Sequence, residues 1–104
     1  MKPFTKNVIK IIQSIPKGRI MTYGQIAAIG GSPRGARQVV RILHSMSRAY
    51  GLPWHRVVNA KGEIAIKDDE GHFVQVALLK EEGIVVDEKD RIDVEKYRWE
   101  PETF

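Results

Sequence analysis

The sequence predicts a mostly helical fold that carries one small β-hairpin. Three observations indicate this fold: apolar residues recur at helical spacing in the first half of the chain, a glycine pair interrupts that pattern, and two short β-prone runs flank an Ala-Lys-Gly turn. With 104 residues, 42% of them hydrophobic, the chain is expected to form a single domain, residues 1–104, with its own core.

The first helix is predicted from an apolar stripe at helical spacing, formed by Phe4, Val8, Ile11, Ile12 and Ile15. Pro16 and Gly18 are expected to end this helix, because proline cannot continue the hydrogen-bond ladder and glycine favours a turn. The second helix is predicted over Thr22–Ile29, and the Gly30–Gly31 pair should permit the positive φ angles of a tight turn after it.

The third helix is predicted over Pro33–Met46, with Ser32 as its N-cap and Pro33 at the first helical position. Its buried stripe should consist of Val39, Ile42, Leu43 and Met46. Two short helices joined by a glycine turn are typical of a helix-turn-helix, in which this third helix would be the reading helix.

A β-hairpin is predicted after the third helix, with strands Arg56–Asn59 and Glu63–Ile66 and the turn at residues 60–62. Beside a helix-turn-helix, this hairpin would be the wing. A fourth helix is predicted over Glu70–Glu82, with Gly83 as a C-cap. Its buried side is expected to consist of Phe73, Val76, Ala77 and Leu79 or Lys80. The segment Ile84–Val86 and the tail up to Trp99 should pack back on the core.

The net charge of +4 conceals a strong asymmetry along the chain. Up to Lys67 there are 12 basic residues and one acid, Glu63, whereas from Asp68 onward 5 basic residues face 12 acids. Four arginines lie on the predicted exposed face of the third helix: Arg34, Arg37, Arg41 and Arg48. This distribution indicates a surface for a polyanion, and the alternative is a basic surface that only keeps the protein soluble.

Cysteine is absent from the chain, which excludes a disulfide framework and a cysteine-ligated zinc site. No run approaches the roughly twenty apolar residues of a membrane span, and the N-terminus has no apolar signal core. The three histidines show no metal-ligand spacing, so no metal is expected. We therefore expect a cytoplasmic protein, which would associate with the nucleoid if the predicted helix-turn-helix binds DNA.

The segment Pro53–Val57, Pro-Trp-His-Arg-Val, resembles the Pro-Cys-His-Arg-Val site of the O6-alkylguanine-DNA alkyltransferases, with tryptophan in place of the cysteine that accepts the alkyl group. Three further blocks match that family in the same order. Ile15–Gly24 contains Ile-Pro-Lys-Gly and Thr-Tyr-Gly, Ser32–Val39 contains Gly-Ala-Arg-Gln-Val, and Leu78–Gly83 is similar to the family's Leu-Leu-x-x-Glu-Gly. The chain is identified as a member of the cysteine-less, alkyltransferase-like branch.

The resemblance implies a winged helix-turn-helix like the C-terminal DNA-binding domain of the alkyltransferases. It also implies a non-enzymatic damage sensor, a monomer without cofactor, that binds duplex DNA in the minor groove and flips O6-alkylguanine into a pocket. The flagged lesion would then pass to nucleotide excision repair proteins. No catalytic residue and no alkyl transfer are expected, because an indole lacks the nucleophilicity of an activated thiolate.

The family's flipping residues match Arg37, which would enter the gap left by the flipped base, and Tyr23, which would crowd the target phosphate. Gly35 and Ala36 are small, so the reading helix is expected to sit close in the minor groove. Further DNA contacts are expected from Thr22, Arg34 and Gln38. The alternatives are a phosphate-binding arginine at position 37 and a core-packing tyrosine at position 23.

The alkylguanine pocket is expected around Trp54 and Tyr23, with the indole of Trp54 covering the extruded base. The resemblance implies that the backbone carbonyls of Trp54 and Val57 accept hydrogen bonds from the guanine amine, and that Lys67 faces the damaged base. A packing role for Trp54 and a solvated Lys67 are the alternatives. Three residues match the transferase relay and should be structural here: His55, Arg56 and Glu82.

Two other functions compete with the sensor. A generic winged-helix DNA-binding protein would bind through phosphate contacts without lesion preference. A residual glycosylase or nuclease would need a placed nucleophile or activated water. The run of acids at residues 68–70 is a candidate, but three adjacent acids more often begin a solvated helix.

Overall fold

The computed structural model describes residues 1–64 and 66–102; Ala65, within the second predicted hairpin strand, lies outside the described residues. Five α-helices, one 3-10 turn and two short strands follow one another along these residues. They are α1 (Pro3–Gln13), β1 (Met21–Thr22), α2 (Tyr23–Ile29), α3 (Ala36–Tyr50), the 3-10 turn (Trp54–Arg56), β2 (Val57–Val58), α4 (Asp69–Glu81) and α5 (Val94–Tyr97). The mostly helical fold with a small sheet is confirmed.

Helices α1 to α3 surround the main core and confirm the predicted stripe of α1. Val8, Ile11 and Ile12 are buried, and Phe4 packs against them from the edge of the core. The backbone of α1 ends before Pro16, as expected from a residue without an N–H. Burial of this branched aliphatic surface is the main source of stability, at about 25 cal/mol per Å² of apolar area.

The start of α3 differs from its prediction. The helix begins at Ala36, and Ser32, the predicted N-cap, instead accepts a turn hydrogen bond from the Gly35 N–H at 2.8 Å. A side chain at Gly35 would contact the Phe4 ring at 3.0 Å, so this turn packs against α1 and delays the helix by three residues. The other end extends to Tyr50, where Gly51 ends the helix in the left-handed conformation.

The predicted pairing of a β-hairpin is wrong. β2 pairs in parallel with β1, with Met21 opposite Val57 and Thr22 opposite Val58. All four residues are buried, and a distant buried strand satisfies both the backbone and the apolar side chains of β2. The chain does reverse after β2, where the Asn59 side chain accepts hydrogen bonds from two backbone N–H groups. Beyond this turn Glu63 forms an antiparallel bridge with Arg91.

Helix α4 confirms the position of the fourth helix and part of its predicted buried side, since Leu79 is buried and Val76 is half-buried. The rest of that prediction is wrong, because Phe73 is 74% exposed and Ala77 is also exposed, whereas Gln75 is buried. The amide of Gln75 donates to the carbonyls of His55 at 3.0 Å and Val57 at 3.2 Å. These buried carbonyls need a donor, and meeting that need rotates α4 so that Phe73 points to solvent.

The tail packs back as predicted. Ile84 is buried in a second core cluster, the Trp99 side chain packs against the first, and the short helix α5 between them was not predicted. Among the helices of residues 1–64 and 66–102, none has both the length and the hydropathy needed to cross a membrane.

Comparing Gly62 with Gly83 separates the effect of backbone strain from that of a steric clash, and tests how the turn after β2 packs. Gly62 and Gly83 both have positive φ, 76° and 88°. A Cβ at Gly62 would overlap the carbonyl oxygen of Ile92, whereas one at Gly83 meets no atom within 4 Å. We expect Gly62→Ala to lower the free energy of unfolding by about 2 kcal/mol and Gly83→Ala by about 1 kcal/mol. Urea unfolding measures both, and equal losses would contradict the packing of Gly62 against Ile92.

Candidate nucleic-acid interface

The outward face of α3 carries the basic surface that the sequence predicts. Arg37, Arg41 and Arg48 recur at helical spacing on this helix, and all are exposed. Arg34, in the turn before α3, is exposed as well, and so is Gln38. Helix α3 packs against α2, as expected of the two helices of a helix-turn-helix. The arrangement offers cationic side chains to a phosphate backbone without any acid among them.

The smaller predicted contact residues have roles inside the protein. Thr22 is only 6% exposed, and its hydroxyl accepts a hydrogen bond from the Gln25 N–H while the Gln25 side chain accepts one from the Thr22 N–H. This capping box begins α2. Gly35 is buried against Phe4, so its missing side chain first serves the protein's own packing. Direct DNA contacts by Thr22, Gly35 and Ala36 stay predictions.

Tyr23 and Trp54 lie on the same pocket, as predicted. Tyr23 begins α2 and Trp54 begins the 3-10 turn, so two distant chain segments bring the two aromatic rings together. The pocket has a volume of about 260 Å³, just below the range of about 300–1,000 Å³ that is usual for small-molecule sites. Its seven lining residues are mostly apolar: Tyr23, Val40, Leu43, His44, Ser47, Trp54 and Ile66. Burial raises the pKa of the Tyr23 hydroxyl, which therefore stays a hydrogen-bond donor.

Four lining residues were not predicted from the sequence, although their helical spacing indicates that they share one side of α3. Val40, Leu43, His44 and Ser47 recur at i, i+3, i+4 and i+7 along α3, which places them on one side of the helix. From the sequence, a core stripe and an arginine face were predicted for α3, but no side of the helix that lines a pocket.

Two predicted pocket residues, Lys67 and Val57, are not among the residues that line the pocket. Lys67 is exposed and does not line the pocket, but its neighbour Ile66 does. The Val57 carbonyl accepts a hydrogen bond from Gln75, and the Trp54 carbonyl accepts one from the Val57 N–H. Because a carbonyl oxygen has two lone pairs, each keeps capacity for one further donor. The proposed contacts of Lys67 and of these carbonyls with guanine stay predictions.

The segment that carries Ile66 is held by the first turn of α4. Gly71 lies against the Ile66 side chain, and a ring nitrogen of His72 is 3.4 Å from the Ile66 carbonyl oxygen. The other ring nitrogen of His72 is 2.8 Å from a carboxylate oxygen of Asp90, and this hydrogen bond raises the pKa of His72. The loop therefore connects one wall of the pocket to α4.

The three residues of the predicted relay remnant meet behind the pocket. His55 Nε2 is 2.7 Å from Glu82 Oε2, and Arg56 donates from Nε and Nη2 to the same carboxylate at 2.8–3.1 Å. Glu82 also accepts from the Gly18 N–H at 2.9 Å, and Arg56 donates to the Ile15 carbonyl at 2.9 Å. One carboxylate thus connects the turn that follows α1, the 3-10 turn and the end of α4.

The ionised form of Glu82 is strongly favoured in this network. Burial opposes its charge, but the hydrogen bonds from Arg56, Gly18 and His55 outweigh that effect and hold the pKa of Glu82 at about 2. The Trp54 indole meets the His55 ring edge-on, with ring centroids 6.2 Å apart. An aromatic ring therefore lies directly beside this histidine. Within the described part of the chain, no group of three His, Asp or Glu residues is suited to hold a metal.

Comparison with known proteins agrees with this geometry. The family model described as "6-O-methylguanine DNA methyltransferase, DNA binding domain" matches residues 3–84. The "DNA base-flipping protein" of Escherichia coli strain K12 is 42% identical over 92% of this chain and 74% of its own length. "Alkyltransferase-like protein 1" of Schizosaccharomyces pombe is 33% identical over 97% of this chain and 98% of its own.

A solved structure gives the same relationship in three dimensions. The S. pombe Atl1 complex with damaged DNA containing O6-carboxymethylguanine superimposes with a TM-score of 0.86, at 33% identity, over 97% of this chain and 98% of that one. Residues 3–84, which the family model matches, contain this chain's helix-turn-helix, pocket-lining residues and carboxylate network. The chain belongs to the family of the 6-O-methylguanine DNA methyltransferase DNA-binding domain, as a cysteine-less, alkyltransferase-like member.

Proposed function

We propose that this protein is a non-enzymatic sensor of O6-alkylguanine in duplex DNA. It binds the minor groove through α3, rotates the damaged nucleotide out of the stack, holds the base in the pocket between Tyr23 and Trp54, and transfers no alkyl group. The observation that carries the proposal is the pocket itself. Trp54, at the position that matches the family's acceptor cysteine, lines it together with Tyr23 and four residues of α3.

Base flipping requires compensation, because unstacking and unpairing cost a few kcal/mol. Stacking on the pocket aromatics supplies about 1–3 kcal/mol, and the guanidinium of Arg37 fills the vacated position in the duplex. Arg37 is exposed in the first turn of α3, where its side chain can extend beyond the helix. The basic face adds a contribution that is independent of sequence and sensitive to salt.

Alkyl transfer would need a nucleophile at the substituent carbon. The carboxylate–histidine pair has the form of a relay that lowers the pKa of a thiol, but the chain contains no cysteine and the neighbouring indole nitrogen is a donor only. His55, Arg56 and Glu82 therefore serve to hold the 3-10 turn that presents Trp54. A sensor that transfers no alkyl group leaves the lesion in the DNA. The proposal therefore includes handover of the bound lesion to nucleotide excision repair proteins.

The two names that relatives carry, base-flipping protein and alkyltransferase-like protein, support this proposal. So does the structural similarity to a complex with damaged DNA. The alternative, a winged-helix protein without lesion preference, shares the basic face but gives no role to an aromatic pocket beside it.

A fluorescence titration of a duplex with one O6-methylguanine, against the same duplex with guanine, tests the proposal at fixed near-physiological salt. We expect at least about tenfold tighter binding to the lesion, the equivalent of one stacked base. The intact mass of the protein after binding should show no added methyl group.

Equal affinity for both duplexes would contradict lesion recognition and favour the generic DNA-binding alternative. An added mass of one methyl group would contradict the absence of transfer. Arg37→Ala supplies the control for flipping, because it should weaken lesion binding more than binding to undamaged DNA; a uniform loss would assign Arg37 to a phosphate contact.

A further inference from the structure

His44 stands on the boundary between two surfaces of α3. At about 100° per residue, from 3.6 residues per turn, Val40 and Ser47 lie to one side of His44, and Arg37 and Arg48 to the other. The first side lines the pocket and the second is the basic face. His44 itself lines the pocket and is exposed, so its imidazole is accessible to a molecule that occupies the pocket.

The polar groups of the pocket differ in the hydrogen bonds that they can still form with a ligand. The Ser47 hydroxyl donates to the Leu43 carbonyl at 2.6 Å, which leaves it as an acceptor for a ligand. Tyr23 and Trp54 also carry donors, the phenol O–H and the indole N–H, but the proposed function assigns their ring faces to the base. The His44 imidazole has no hydrogen-bond partner within residues 1–64 and 66–102, and an imidazole carries at least one N–H donor in either protonation state. His44 is therefore an uncommitted donor on the wall of the pocket that α3 forms with Val40, Leu43 and Ser47.

The position of His44 along α3 suits the far end of a flipped guanine. Arg37, which the proposed function places at the gap in the duplex, precedes His44 by about 10 Å of helix axis, at about 1.5 Å per residue. This rise is comparable to the length of a nucleotide from its sugar to a substituent on O6. If the flipped base extends along α3 from Arg37 toward His44, as the proposed function implies, its O6 substituent is the part that reaches His44.

We propose that His44 is a specificity-determining residue of the pocket, which donates a hydrogen bond to O6 substituents that end in an acceptor, above all a carboxylate. This inference rests on the proposed function and deepens it by naming the class of lesion. Apolar substituents are accommodated against Val40, Leu43 and Ile66, whereas an anionic substituent needs a donor to replace the water that it loses on entry. A hydrogen bond to a charged acceptor is about twice as strong as one between neutral groups.

The test compares four duplexes that differ at one base: guanine, O6-methylguanine, O6-propylguanine and O6-carboxymethylguanine. The propyl group has nearly the shape of carboxymethyl but accepts no hydrogen bond. We expect His44→Ala to weaken binding of the carboxymethyl duplex about tenfold and to change binding of the propyl duplex less than about twofold. His44→Gln, which keeps an N–H donor, should restore part of the loss.

Ser45→Ala is the matched control, because Ser45 is exposed, next along α3 and directed away from the pocket, with its hydroxyl bonded to the Arg41 carbonyl. It should leave all four affinities unchanged. An equal loss on all duplexes with His44→Ala would make His44 a phosphate contact and overturn the inference, as would unchanged carboxymethyl affinity. Failure of the proposed function looks different: the unmodified protein would then show no preference for any lesion over guanine.

Discussion

Replacing Glu82 with glutamine is expected to lower the free energy of unfolding by on the order of 3 kcal/mol, the largest stability effect of any substitution considered. The side chains of His55, Arg56 and Glu82 are 12%, 18% and 7% exposed, so the network is largely removed from water. A neutral amide removes the charge that compensates Arg56 and places an NH2 group against one of its donors. Urea unfolding at neutral pH measures the loss.

Glu81→Gln provides the matched control, because Glu81 is the exposed neighbour of Glu82 and undergoes the same chemical change. We expect that control to shift stability by less than about 0.5 kcal/mol. Equal effects of the two substitutions would show that Glu82 contributes only general surface charge, and the proposed structural role of the relay remnant would be wrong.

The pH dependence of stability follows from the same network with a definite sign. The pKa of Glu82 is lowered in the folded protein to about 2, so its contribution is fully present above its unfolded pKa and decreases as the pH falls toward 2. Between about pH 5 and pH 2 the protein should lose stability faster than the Glu82→Gln variant does. Parallel curves over this interval would contradict an ionised, hydrogen-bonded Glu82.

The helices whose signals are local were predictable from the sequence. The stripe of Val8, Ile11 and Ile12 needs only its own spacing to specify α1. The start of α3 was not predictable, because the packing of Gly35 against Phe4 overrides the N-cap preference of Ser32. Contacts between distant segments decide such details, and a single sequence does not show them.

The hairpin and the orientation of α4 failed for the same kind of reason. β2 takes β1 as its partner from 36 residues earlier, Met21 opposite Val57, and a buried Gln75 turns Phe73 outward. Alternation and hydrophobicity predict a nearby antiparallel partner and a buried phenylalanine. Neither rule includes the need of buried carbonyls for a donor, which here has the larger effect.

The candidate site was predicted where a motif names the residue. The segment around Trp54 and the Thr-Tyr-Gly block located both aromatic walls of the pocket. His44 and Val40 belong to no motif, and only the register of α3 against Trp54 brings them to the pocket. The family resemblance predicted that Lys67 faces the damaged base, but a loop does not maintain a fixed direction, and the structure puts Ile66 on the wall of the pocket.

Replacing Trp54 with alanine is expected to weaken binding to an O6-methylguanine duplex about thirtyfold, the equivalent of about 2 kcal/mol of base stacking. Binding to the undamaged duplex should change by less than about threefold, because the arginines of α3, to which the proposed function assigns the phosphate contacts, lie outside the pocket. Trp54→Phe should retain most of the lesion preference, since a phenyl ring still offers a face for stacking. Fluorescence anisotropy on the paired duplexes measures these differences.

Tyr50→Ala is the matched control for the removal of an aromatic ring. Tyr50 is 42% exposed in the last turn of α3 and does not line the pocket with Trp54, so its removal should leave the lesion preference intact. Thermal unfolding of each variant separates a loss of binding from a loss of fold. If Trp54→Ala stayed folded and kept its preference for the lesion, the indole would be a packing residue that fills a disused transferase pocket. Lesion recognition would then have to come from the duplex contacts of α3, because the pocket would contribute nothing to it.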